Sequence, residues 1–405
     1  MSTPAIDYLR FTSHKSLTHR LVLSTLTGRP IHISQIRSSS ALSPGLAPHE
    51  ISFLRLLEAI TNGSSLQISY TGTTLTYNPG LITGSVAGLG AHGDVIEHVL
   101  PATNTRGVSY FLLPLCMLSP FSKAPVNVRF TGPGVITSAT EAGDMSVDSV
   151  RTAILPLYEQ FGVMSAKLEL RVLQRSCAGP GGKGGGGIVE LRFGSQLRLP
   201  KTLHLNRNPG RIKRIRGVSY CTGVSASNNA RMIHAARGVL NPLVSDVHIA
   251  AQYDQAPLVS SNDKADPKGK KRTGIGFGLS LVAESSAGVL YSADVAAPPQ
   301  GGVTPEDIGK QAAFQLLETI SQGGCVSKAG APTALTLMAM GSEDVGRLRI
   351  GRDVIGTEDV VGLGRDLRKF GASAWGLRDV DEDESGDILV SVKGVGIGNV
   401  GRKIA

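Results

Sequence analysis

Cysteine is scarce in this 405-residue chain: Cys116, Cys177, Cys221 and Cys325 lie far apart and form no C-x-x-C pair. A disulfide framework or a zinc site is therefore disfavoured, and reduced, mostly buried thiols are expected. No uncharged apolar run reaches the length of a bilayer span, which excludes an integral membrane protein of the helical kind. The first seven residues lack a basic segment followed by an apolar one, so no secretory signal and an intracellular location are expected. Aromatic residues are only 5% of the chain, too few for base-stacking platforms. None of the nine histidines lies beyond His248, so the last 157 residues hold no imidazole to serve as nucleophile, base or metal ligand.

What is present is a globular composition with a positive balance. Hydrophobic residues make up 41% and charged residues 18%, enough apolar matter for a large core. The length exceeds what one core usually serves, which predicts two or three domains, or one domain carrying an insertion. Lys and Arg number 41 against 32 Asp and Glu, a formal charge of +9. Such a surplus attracts polyanions, with nucleic acid foremost, through backbone and shape contacts.

A local grammar of helix, glycine and strand recurs. Residues 53–63 carry apolar side chains at helical spacing, end on Asn62-Gly63 and lead into an alternating stretch at 66–70. Residues 150–162 and 166–172 repeat it. A third copy has Thr304 as N-cap, Pro305 at the first position, and a close on Gly323. Three such units indicate an α/β repeat architecture. The larger interval between Gly162 and Gly323 than between Gly63 and Gly162 places an insertion before the third unit. The expected organisation is residues 1–207 for the first two units, 208–290 for an inserted small α/β domain, and 291–405 for the third unit. Within the insert, residues 255–273 read as a mobile loop, and its Lys268, Lys270, Lys271 and Arg272 form a candidate nuclear-import signal.

Three motifs fail on chemistry. The glycine-rich stretch 179–187 is not a P-loop, because Lys183 is followed by Gly184 where a magnesium-binding hydroxyl is required. The G-x-G-x-x-G at 396–401 has no following helix to aim at a pyrophosphate. The acidic run 379–384 reads as a solvated loop, and no metal site is expected.

Taken together, Arg20-Leu-Val-Leu-Ser-Thr-Leu-Thr-Gly-Arg-Pro-Ile-His-Ile33, Ile36-Arg37, Pro44-Gly-Leu46, the glycines at 184–187 and Met338-Ala339 resemble the RNA 3′-terminal phosphate cyclase family in order and approximate spacing. Gly341-Ser-Glu-Asp-Val-Gly-Arg-Leu-Arg-Ile-Gly351 looks like the eukaryotic cyclase-like branch of that family. The resemblance implies an α/β (α+β) fold of three βαβαββ-type units with a small α/β domain inserted before the third. It further implies a nucleolar factor of the small-subunit processome, required for 18S pre-rRNA processing. The partners it implies are pre-rRNA, a small nucleolar ribonucleoprotein and a Bms-family GTPase, with no membrane.

Departures from the enzyme pattern then speak against catalysis. Cyclases resemble one another in an acidic residue followed by Gly-Gly-Gly-Gln ahead of the arginine aligned with Arg20, and here that stretch is Ser13-His-Lys-Ser-Leu17. His49-Glu50 stands where the family carries Gln-His, and Pro180 is displaced from the glycine triplet. The histidine that accepts AMP aligns near residues 353–360, which contain none. Covalent nucleotidyl transfer needs a nucleophilic ring nitrogen, so a pseudoenzyme with no catalytic residue and no cofactor is expected. The alternatives are an endonuclease cutting pre-rRNA, for which no general base or metal cluster is evident, and an active cyclase borrowing His234 or His248.

Cationic side chains are the candidate anion or RNA contacts: Arg20 and Arg37, aligned with family arginines, and Arg347, Arg349 and Arg352 near the vacated site. Arg20 and Arg37 are equally consistent with internal ion pairs to carboxylates such as Glu50 or Glu58. A second cluster, Arg211, Lys213, Arg214 and Arg216 with Arg207, reads either as an RNA-facing edge or as a charged edge strand that blocks aggregation.

Overall fold

A computed structural model describes residues 7–85, 94–194, 196–260, 269–380 and 386–398. Lys268, most of the acidic run 379–384 and the end of the 396–401 motif lie outside the described residues. The fold is mixed α/β, as the two hydrophobic periodicities indicate.

The chain opens with β1 (Leu9–Thr12), α1 (Leu17–Thr27), β2 (Ile31–Ser34), α2 (Pro48–Ile60), β3 (Thr61–Asn62), β4 (Ser65–Ile68), β5 (Leu75–Asn78) and β6 (Leu81–Ile82). Strands β1 and β2 run parallel, β5 and β4 add antiparallel in the order β1-β2-β5-β4, and β3 pairs with β6. Local rules fix the helix ends: α1 closes on Gly28 at φ 68°, and α2 starts on Pro48 with the Glu50 carboxylate accepting from the Ala47 amide at 2.7 Å.

Next come β7 (Ile96–Val99), α3 (Ser109–Leu118), β8 (Val126–Thr131), α4 (Val147–Ser149), β9 (Leu168–Gln174) and β10 (Ile188–Phe193), in a sheet of order β7-β8-β10-β9 with the same strand senses. The regular helix expected over 150–162 is instead a distorted one. After α4 the turns widen over Val150–Ile154 and tighten to 3₁₀ geometry over Leu155–Phe161. Pro156 is the cause, since it has no N–H and its ring excludes an ordinary α-helical turn ahead of it.

Strand β11 (His204–Leu205) is followed by β12 (Ile212–Thr222), α5 (Ser227–Leu240), β13 (Val247–Asp254), β14 (Leu258–Ser260), β15 (Lys270–Arg272), β16 (Gly276–Ser285), β17 (Leu290–Ala296) and α6 (Pro305–Ser321). The chain ends with α7 (Ala331–Met340), β18 (Val345–Ile350), α8 (Arg352–Ile355), α9 (Glu358–Lys369), β19 (Trp375–Asp379) and β20 (Ile388–Lys393). β11 pairs parallel with β18 in the order β11-β18-β20-β19, the connection pattern of the first two sheets.

The sequence pattern assigns the helix opening at Thr304 to the third unit, and this requires correction. Thr304 does cap α6, its hydroxyl accepting from the Asp307 amide at 3.2 Å. The apolar face of α6, Ile308, Ala312, Ala313 and Leu316, is nevertheless buried on the sheet β13-β12-β16-β17 beside α5. Gly309 permits that helix contact, because a Cβ there would lie 2.3 Å from the Met232 carbonyl oxygen. The inserted sheet therefore carries elements through Ser321, past the expected limit of 290, and interrupts the third unit after its first strand.

Two further expectations change. Part of the loop 255–273 is a hairpin of β14 with β15, so Lys270, Lys271 and Arg272 stand on a strand. β12 is an interior strand between β13 and β16, and only residues before Ile215 extend beyond β13. The charged-edge reading thus applies to its first residues alone.

Helices α3 and α7 are apolar nearly all round and are buried accordingly, while α1 buries one apolar face. In α3 and α7 nearly every side chain is inaccessible, as are Leu21, Val22, Leu23 and Leu26 of α1. These helices meet one another, α1 on α3 and α3 on α7, and form the centre on which the three sheets pack. All four cysteines are free and buried.

Candidate functional site

Because β1 and β2 are parallel, the loops leaving Thr12 and Ser34 emerge side by side. All the described non-glycine residues with positive φ belong to these two loops: Ser13 (71°), Ser16 (57°), Gln35 (57°) and Arg37 (43°). Backbone held in a sparsely populated region clusters at functional or formerly functional sites.

The family-aligned arginines sit here, and both are neutralised from within. Arg20 on α1 donates from Nε to Asp366 Oδ2 at 2.8 Å and from Nη1 to the carbonyls of Thr12 and Ser13, its guanidinium 4.7 Å over the Phe11 ring. Arg37 grips Glu50 with both Nη atoms and donates to the Gly45 carbonyl. The internal-pair alternative holds for both, with Glu50 as one partner and Asp366, on α9, as the other.

The two departures from the cyclase pattern are neighbours in space. Lys15, in the stretch where the resemblance implies nucleotide-side glycines, contacts Glu358 at 2.5 Å, and Glu358 lies in the segment 353–360 where it implies a histidine. In sequence, His14 and His49 stand out only as departures from the family pattern, and His19 not at all; the structure sets all three beside this site. Burial lowers the pKa of His14, with Arg37 and Lys15 adding to the effect. Burial also lowers that of His19 against the opposing pull of Asp359 and Asp366. His49 is depressed to about 4 by burial and meets the Tyr110 ring edge-on at 5.1 Å. In all three the shift favours the uncharged ring.

The remaining candidates are dispersed. On β18, Arg347 is exposed with no ion pair among the described residues. Arg349 is buried, donating from Nε to Asp387 Oδ2 at 2.5 Å. The same carboxylate accepts from the Gly324 amide, and the Cys325 amide donates to the Arg349 carbonyl, so the α6–α7 connection covers this side chain and removes it from the anion-facing set. Arg352 is exposed and paired with Asp379. At the start of the insert, Arg214 pairs with Glu284 and Arg216 with Asp246, whereas Arg211 and Lys213 are exposed without ion pairs among the described residues.

The glycine stretch 179–187 has a packing role. A Cβ at Gly185 would fall 2.1 Å from the Val135 oxygen, and at Gly186, where φ is 82°, it would meet Val259, Pro257 and Thr273 at the base of the basic hairpin. Among the described residues no group of three or more His, Cys, Asp or Glu side chains is placed to hold a metal ion.

Against known proteins, the family model of RNA 3′-terminal phosphate cyclase matches residues 9–361. The chain is 36% identical to the rRNA processing protein RCL1 of Saccharomyces cerevisiae over 406 residues, covering all of both chains. It is 38% identical to the rRNA processing protein rcl1 of Schizosaccharomyces pombe over 98% of each chain. With the human RNA 3′-terminal phosphate cyclase-like protein it shares 39% identity over 85% of this chain and 83% of that one. The strand order shared by three sheets, the paired Arg20 on α1 and Arg37 beyond β2, and these extensive matches lead to one conclusion: the chain belongs to the RNA 3′-terminal phosphate cyclase family.

Proposed function

We propose that this protein serves in rRNA processing as a binding factor and does not perform the cyclase reaction. The observation that carries this reading is the closure of the ancestral site. Its two arginines are paired with Asp366 and Glu50, and Lys15 and Glu358 join across the place where nucleotide-side glycines and a nucleophilic histidine are both missing. A guanidinium whose charge is already met by a carboxylate within 3 Å offers a triphosphate a weaker hold than an unpaired one. The names of the relatives support rRNA processing as the setting.

In its finer form, the protein acts in the nucleolus, within the small-subunit processome, on the route to 18S rRNA. It binds pre-rRNA beside a small nucleolar ribonucleoprotein and docks a Bms-family GTPase. The positive balance of the chain and the exposed Arg347, Arg211 and Lys213 support contact with RNA backbone. The test is incubation of the purified chain with labelled ATP and a 3′-phosphorylated RNA. No protein-bound AMP and no 2′,3′-cyclic end are expected. Stable adenylylation at any residue, His14 and His19 included, overturns the reading.

A further inference from the structure

The cations singled out in sequence are mostly paired internally, yet the chain carries a surplus of positive charge. Part of that surplus is concentrated where α9 ends against β1. Arg365, Arg368 and Lys369 follow one another at i, i+3 and i+4, so they project from one face of α9, and all three are exposed. The opposite face, Val360, Leu363, Asp366 and Leu367, is buried, with Asp366 turned inward to Arg20. Arg29, exposed just beyond α1, donates from Nη1 to the Lys369 carbonyl at 2.9 Å. Lys369 Nζ lies 4.7 Å over the Phe11 ring and 3.4 Å from the carbonyl of Arg10, itself exposed on β1.

Five cations thus gather along one seam between the first and third units. Among the described residues none of the five has an ion-pair partner, in contrast to Arg20, Arg37, Arg214, Arg216, Arg349 and Arg352. Farther along the same helical face the one acid, Glu358, is engaged by Lys15. A helix C-terminus accounts for one or two basic residues through its dipole. It does not account for Arg10 and Arg29, which come from other elements. Unpaired arginine forks set along a helix of ~1.5 Å rise per residue suit a run of phosphates rather than a single small anion.

Resting on the RNA-binding reading above, we infer that the seam formed by Arg29, Arg365, Arg368 and Lys369, flanked by Arg10, is a docking track for the phosphate backbone of structured RNA. It reads no sequence and positions the protein on its RNA.

The test uses the full chain and a fluorescein-labelled RNA hairpin of about 20 nucleotides, with affinity followed by anisotropy across a salt series. Arg365→Gln/Arg368→Gln is expected to bind about 10-fold more weakly near physiological salt. The slope of log affinity against log salt should flatten by roughly 2, close to one unit for each phosphate no longer neutralised. Lys271→Gln on the β14–β15 hairpin serves as the control and should change affinity less than about twofold. Matching far-ultraviolet circular dichroism and melting temperatures establish that both variants are folded. If the wild type binds with a steep salt slope and the double variant keeps both its affinity and its slope, the seam assignment fails while RNA binding stands. If the wild type shows no salt-dependent binding, the RNA reading falls with it. Displacement of the wild type from RNA by a poly-glutamate peptide at lower concentration than by unlabelled hairpin overturns the assignment in favour of an acidic protein partner.

Discussion

Arg37 and Glu50 form a fork-to-fork pair, Nη1 to Oε2 at 2.7 Å and Nη2 to Oε1 at 2.8 Å, while the arginine backbone sits in the left-handed region at φ 43°. The carboxylate is 2% exposed and also accepts from the Ala47 amide at the start of α2. One acid thereby neutralises a partly buried arginine and anchors a helix.

Glu50→Gln should accordingly destabilise the protein by about 2–4 kcal/mol, because a largely buried guanidinium loses its counter-charge. The measurement is urea unfolding of the variant against the wild type. A loss below about 0.5 kcal/mol would show that Arg37 finds water or another acceptor easily, and would undo the claim that it is internally committed.

Acid should weaken the fold through His98. This side chain is 8% exposed, shares a 2.9 Å hydrogen bond with Ser52 on α2, and packs against Phe111 and Phe130. Burial depresses its pKa to about 4, with Arg55 adding to the effect. The unfolded chain takes up the proton below about pH 6.5, and the folded chain only near 4, so its contribution is complete above that window and fades as pH falls through it. By pH 5 the loss from this residue is about 2 kcal/mol. In His98→Asn the drop in stability between pH 7.5 and pH 5 should shrink by that order. An unchanged drop would mean that other groups carry the acid sensitivity.

None of the four thiols should react in the folded protein. Burial pushes Cys116 and Cys177 up to about 12 and Cys221 and Cys325 to about 11, leaving almost no thiolate at neutral pH. Ellman's reagent should find no thiol in native buffer and all four in concentrated guanidinium. Rapid titration of even one native thiol would identify an opening motion that exposes it.

Sequence carried the local structure well and the long-range structure unevenly. The Thr304-Pro305 start of α6 was legible because capping is decided within four residues, whereas the sheet on which α6 packs is decided by Ile308, Ala312 and Leu316 meeting partners outside any local window. The same difference explains Arg20. That it has a carboxylate partner could be guessed from composition, but Asp366 lies 346 residues away and leaves no local signal. For the glycines at 184–187, sequence chemistry excludes a P-loop but offers no alternative role, and their close approach to Val135 becomes evident only in three dimensions. The α9 seam did have a signature, Arg365-x-x-Arg368-Lys369 at the end of an amphipathic helix. It was obscured by more conspicuous basic clusters whose neutralising acids are distant in sequence.

The bond between Arg20 and Asp366 also sets an order of events during synthesis. A chain emerging from its N-terminus displays α1 and its arginine long before the matching acid has been translated, and β11 likewise waits for β18 across the whole insert. Until α9 arrives, the nascent polypeptide holds an uncompensated cation beside an unsealed apolar centre, the kind of intermediate that chaperones shield. A segment translated 346 residues after Arg20 therefore completes the first helix, and termination anywhere before Asp366 would leave the opening unit, itself fully translated, without its closing counter-charge.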